Sequence, residues 1–224
     1  MLPEHGATLD DELTALDALP LEELRRRMAI VTELTGTAAS CSQVTRRYRL
    51  PGGTRYAWND SGGTSLYVYV TDDGRALLVT FEADHQLNIG FGDEDHPYLR
   101  AMLQGVPSDL LRMTEVPGQD SGDRYPDLTL TDPDTGRRLL AATGVFWYDG
   151  QRWRHAAEGV LAACAWEGIE PTEEPTVAAS VYLLGEEFTP DTYFTRWCDD
   201  PALSPERRDH LRDLVATAFR RHPR

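Results

Sequence analysis

Residues 64–82 hold the pattern that most restricts the fold. Thr64-Ser-Leu-Tyr-Val-Tyr-Val-Thr71 and Arg75-Ala-Leu-Leu-Val-Thr-Phe-Glu82 are two runs rich in β-branched, aromatic and aliphatic residues, separated by Asp72-Asp-Gly74. Strand formers on both sides of an Asp-Gly pair are the strongest short-range signal for an antiparallel hairpin. With Asp73-Gly74 as a two-residue turn, Val70 faces Leu77, Val68 faces Val79, and Leu66 faces Phe81, all on one side. Asp72 then meets Arg75 beside the turn. Tyr67 and Tyr69 share the opposite side, which must be covered by helices or form an aromatic patch of the kind used in interfaces.

Other segments repeat the hairpin motif. Gly144-Val-Phe-Trp-Tyr148 leads through Asp149-Gly150 to Gln151-Arg-Trp-Arg-His155. A two-residue turn there sets Phe146 against Trp153 and lays Arg152 on Trp147 as a cation–π pair. Tyr48 to Trp58 and Leu128 to Leu140 read as two further hairpins. Around these lie helical signals. Thr8 precedes three acids, and Pro20 opens a stripe of Leu21, Leu24, Met28 and Val31 that Gly36 can end. Prolines at 97 and 107 start short helices. Thr189-Pro-Asp and Ser204-Pro-Glu are N-caps, the second before a stripe of Leu211, Leu214, Val215, Ala218 and Phe219. Arg220, Arg221 and Arg224 follow at the negative end of that helix. Hairpins flanked by helices define an α+β class with a largely antiparallel sheet, the terminal helices packing on one face. The expected organisation is one domain over residues 1–224: helical to residue 40, mainly hairpins over 44–155 with short helices near 97–113, and mainly helical over 156–224.

Composition narrows the chemistry. All 22 basic residues are arginine, against 37 acids, for a formal charge of −15. Without lysine there is no phosphate-loop lysine, no Schiff base and no kinase-type ATP anchor. The negative charge disfavours a nucleic-acid surface and suits a basic protein partner or simple solubility. Three separated cysteines, Cys41, Cys164 and Cys198, form no metal or disulfide pattern, and Cys164 in an apolar run reads as a buried small hydrophobe. No apolar run approaches the roughly 18 residues of a membrane span, and the acidic N-terminus is unlike a secretory signal. These readings lead to the expectation of a cytoplasmic protein that needs no membrane, nucleic acid or cofactor.

Two motifs tempt and fail. Asn59-Asp-Ser-Gly-Gly63 resembles the nucleophile loop of chymotrypsin-like proteases, but their chain order needs a histidine base well before the serine, and only His5 precedes Ser61. Asp132-Pro-Asp-Thr-Gly136 is explained by a proline-initiated turn, and it is too short for a calcium loop. No catalytic residue is assigned.

The segment Glu82-Ala-Asp-His85 to Gly90-Phe-Gly-Asp-Glu-Asp-His96 is the densest in ionisable groups. Glu82, Asp84, Asp93, Glu94 and Asp95, with Tyr67 and Tyr69, are the expected acidic and aromatic binding surface. In an alternative reading, His85, His96, Asp93 and Asp95 supply nitrogen and oxygen ligands to a divalent metal in a hydrolase. Their spacing matches no zinc pattern, and a solvated acidic loop capping the helix at Pro97 accounts for the same residues.

The Asp73-Gly-Arg-Ala-Leu-Leu-Val-Thr-Phe-Glu82 strand and the Gly144–Arg154 hairpin resemble uncharacterised acidic proteins of high-GC bacteria, some of which act as immunity partners of polymorphic toxins. The resemblance spans residues 55–155. It implies a non-enzymatic protein that steers a basic toxin and covers its cleft with carboxylates.

Overall fold

A computed structural model of the chain describes residues 9–35, 37, 44–59, 63–85, 97–115, 129–131, 135–136, 138–166 and 187–224. Two helices, α1 (Leu9–Ala18) and α2 (Leu21–Thr35), lead into four strands, β1 (Val44–Leu50), β2 (Gly53–Asn59), β3 (Thr64–Thr71) and β4 (Ala76–Glu82). Next come α3 (Pro97–Met102), α4 (Ser108–Thr114), β5 (Thr129–Thr131) and β6 (Arg138–Leu140). The chain ends with β7 (Gly144–Tyr148), β8 (Trp153–His155), α5 (Ala157–Trp166), α6 (Pro190–Trp197) and α7 (Pro205–Arg221). Six strands form one antiparallel sheet in the order β1-β2-β3-β4-β7-β8, and β5 pairs separately with β6. The α+β class and the hairpin-built sheet therefore match the expectation. Thr8, Gly36, Cys41 and most of the Asp132–Gly136 turn lie outside the described residues.

Helix starts follow local capping chemistry. Thr189 accepts from the Thr192 amide while the Thr192 hydroxyl accepts from the Thr189 amide, a reciprocal box that opens α6. The Ser204 hydroxyl accepts from the Arg207 amide at the start of α7. Pro190 and Pro205 stand where the missing N–H costs nothing.

The sheet is covered on both faces. On one, Tyr56, Trp58, Leu66, Val68, Val70, Leu78, Phe146 and Trp153 pack with α1, α2, α6 and α7 through Leu16, Leu24, Met28, Val31, Phe194, Leu211 and Val215. On the other, Tyr67, Tyr69, Leu77, Val79, Val145 and Trp147 pack under α3, α4 and α5 through Met102, Leu110, Met113, Val160 and Cys164. That double coverage explains why β3 and β4 read as nearly continuous apolar runs rather than alternating ones. Each fully buried side chain of this kind contributes about 1.5–3 kcal/mol. The terminal helices share one face, as the sequence led us to expect.

Turn lengths correct two registers. In the β3–β4 hairpin Val70 pairs with Ala76, Val68 with Leu78, and Leu66 with Thr80. The connection is three residues, Asp72-Asp-Gly74, closed by the Thr71 amide on the Arg75 carbonyl at 2.9 Å, with Gly74 at φ +87°. This is a turn ending in a left-handed residue, for which glycine is suited. One residue of slip turns Leu77 and Val79 to the tyrosine face. Asp72 does not meet Arg75. It pairs with Arg49 at 2.7 Å, while Arg75 holds Asp73 at 2.8 Å and Asp109 of α4 at 2.5 Å.

In the β7–β8 hairpin Tyr148 pairs with Trp153, Trp147 with Arg154, and Phe146 with His155. Asp149 sets this longer turn: its carboxylate accepts from the Gln151 and Arg152 amides at 2.9 and 3.0 Å. A shift of two keeps Phe146 and Trp153 on one face but removes Arg152 from Trp147. Arg154 takes the position opposite Trp147 and pairs with Asp149 at 2.9 Å.

Candidate functional site

The acidic segment begins where β4 ends. Ala83 donates to the Gly63 carbonyl at 3.1 Å, and the His85 amide donates to the Glu82 carbonyl at 3.2 Å. This turn leaves Asp84 exposed, Glu82 half-buried and His85 buried at 5 % exposure. Asp93, Glu94, Asp95 and His96 lie outside the described residues. Among the described residues no three histidine, cysteine or carboxylate side chains are grouped to hold a metal. Tyr67 and Tyr69 correct the expected surface: at 7 % and 0 % exposure they are core residues beneath α3, α4 and α5, not an aromatic patch. Of the candidate surface, Asp84 is freely presented and Glu82 partly so.

The most structured charged site lies elsewhere, between α2, the end of α7 and the β1–β2 hairpin. Helix α2 carries Glu22-Glu23-Leu24-Arg25-Arg26-Arg27. At about 100° per residue, three consecutive arginines fan across most of the helix. Arg25 stays half-exposed and pairs with Glu22 at 2.9 Å. Arg26 and Arg27 turn inward and share Glu23: Arg26 at 2.6 and 2.8 Å through two nitrogens, Arg27 at 3.0 Å. These spacings of three and four residues place the partners one helical turn apart. The Arg26 contacts, foremost, hold the Glu23 carboxyl down at about 2, against the opposing effect of burial.

Aromatic rings and the far end of the chain fix the guanidinium groups further. Arg27 lies 5.1 Å from the Phe188 ring centroid, and Arg26 lies 5.8 Å from Phe188 and 5.9 Å from Phe219. Arg26 also donates to the His222 carbonyl, 3.1 Å away and 196 positions on. Glu33 clamps the same end, bonding Arg221 at 2.6 Å and the His222 ring at 3.0 Å. Arg47 on β1 projects over the Tyr56 ring at 5.8 Å. Together these elements border an open cleft of about 830 Å³ lined, among the described residues, by Arg25, Arg26, Arg27, Arg47, Arg221 and Arg224, with Glu22, Glu23 and His222. Ala18, Leu19, Pro20, Ala29 and Tyr56 add an apolar lining.

The sequence reading assigned Arg220, Arg221 and Arg224 to a helix end and passed over Arg25-Arg26-Arg27. A run of three arginines in a chain this acidic was the available signal. Its meeting with the last helix was not visible, because nothing local records a contact over that chain distance.

No protein-family model matches the chain, and no curated protein or solved structure matches it at a significant level. No helix among the described residues is long and apolar enough to cross a membrane.

Proposed function

We propose that the chain is a non-enzymatic acidic binding protein that docks a basic protein partner, in the manner of an immunity protein that occludes a toxin. The observation that carries this reading is the segregation of charge. Among the described residues, six arginines and two acids line one cleft, in a chain that holds 22 arginines and 37 acids. Asp191, Asp199, Asp200, Glu206, Asp209 and Asp213 along α6 and α7 are exposed, as is Asp84. Several neighbouring arginines are already engaged: Arg208 with Asp199 at 2.8 Å, and Arg212 over the Phe194 ring at 4.7 Å. A surface of this kind accelerates encounter with a cationic partner and repels acidic ones.

The test is co-purification with the product of the adjacent gene, followed by titration of the pair at rising salt. A complex is expected whose affinity falls steeply between about 50 and 500 mM salt, as screening shortens the reach of exposed charges. A salt-independent complex overturns the electrostatic mechanism. Absence of any complex with that product overturns the immunity reading.

A further inference from the structure

We propose that the arginine cleft between α2, α7 and the β1–β2 hairpin is a binding site for a small phosphate-bearing molecule. Its charge runs against that of the whole chain. Among the described lining residues, six arginine side chains outnumber two glutamates, in a protein of formal charge −15. The two glutamates are also spent locally, Glu22 on Arg25 and Glu23 on Arg26 and Arg27. Solubility alone gives no reason to gather cations at one concave place.

Three of these guanidinium groups, those of Arg26, Arg27 and Arg221, are held in place before any ligand arrives. Arg26 and Arg27 are nearly buried, with side-chain exposures of 10 % and 6 %, and are locked by Glu23. Arg221 is clamped by Glu33. A fixed guanidinium loses little freedom on meeting an oxyanion and offers paired N–H donors at phosphate spacing. Arg47 and Arg224 make no ion pair among the described residues, so they can supply contacts without breaking existing ones. The volume, about 830 Å³, lies in the range of small-molecule sites and exceeds what a bare phosphate fills. Leu19, Pro20, Ala29 and Tyr56 provide apolar surface for the body that carries the phosphate. Phosphate chemistry fits better than a single carboxylate because several guanidinium groups converge, and a phosphate chain offers charge at several points.

The probe is tripolyphosphate, titrated by calorimetry into the full chain at low salt and compared with ATP, citrate and hexaglutamate. Saturable binding of tripolyphosphate and ATP is expected, with a raised melting temperature. The variant pair Arg47→Gln and Arg224→Gln, which touches neither Glu23 nor Glu33, should weaken it about tenfold or more while the circular dichroism spectrum is unchanged. No binding of either phosphate compound, or full binding by the double variant, overturns the proposal. Citrate binding as tightly overturns the phosphate assignment, and tighter binding of hexaglutamate overturns it in favour of an acidic protein segment. Because the double variant removes no acidic side chain, it should leave docking of a basic partner intact, so the two readings fail independently.

Discussion

His155 shows how a single side chain couples this fold to pH. It ends β8, faces the core and lies 4.9 Å from Phe146, ring to ring. Neither ring nitrogen has a hydrogen-bond partner among the described residues, and burial pushes its pKa from 6.5 down to about 4. The fold therefore accepts the neutral ring, and the unfolded chain takes up the proton first. Stability is fully present above pH 6.5 and falls as pH drops through about 4, by at most roughly 3 kcal/mol. Glu23 and Asp149, both held at about 2 in the fold, add their own loss of stability as the unfolded carboxyls protonate near 4.5 and 3.8, so the His155 contribution is read above about pH 5. His155→Phe should flatten the melting temperature between pH 6.5 and about 5. An unchanged pH dependence would place the acid sensitivity in another group.

At the scale of the element, turns and close approaches decide how the strands assemble. Two adjacent glycines between β1 and β2 have different reasons to be glycine. Gly52 turns the chain at φ +79° with open space around it. Gly53 starts β2 with no room for a side chain: an added Cβ would collide with the Val70 carbonyl and lie 2.6 Å from Met113 Cε. Gly52→Ala should cost about 1 kcal/mol through backbone conformation. Gly53→Ala should cost roughly 2–4 kcal/mol, because α4 and the β2–β3 pairing must separate. Denaturant midpoints of the two variants check the order, and a reversed order would mean that α4 yields easily.

The same scale explains what was legible in the sequence. Thr189 and Ser204 announced their helices because a cap acts within four residues. The β3–β4 pair was visible in its composition, but its register was misjudged by one because Asp72-Asp-Gly74 supports either a two- or a three-residue turn. Which loop closes is decided by the packing of Leu77 and Val79 under α3, α4 and α5 rather than by the loop alone.

Over the whole molecule, charge is the dominant tension. A formal charge of −15 favours expansion of the chain. Exposed pairs such as Arg49 with Asp72 offset little of this, since surface ion pairs contribute about 0–1 kcal/mol. Raising salt from about 10 to 200 mM should screen repulsion more than it weakens those pairs and so raise the melting temperature. A falling melting temperature would show that local ion pairs outweigh the net charge.

By itself the sequence determined the strand segments, the helix starts and the strong negative charge, because periodicity, capping and ionisation act over a few residues. Only the tertiary structure decided which face each strand residue joins, that Tyr67 and Tyr69 are core, and that Arg26 meets His222. Those outcomes rest on loop closure and on packing between segments far apart in the chain. A one-residue slip reverses the faces, and a cleft exists only once its walls have docked.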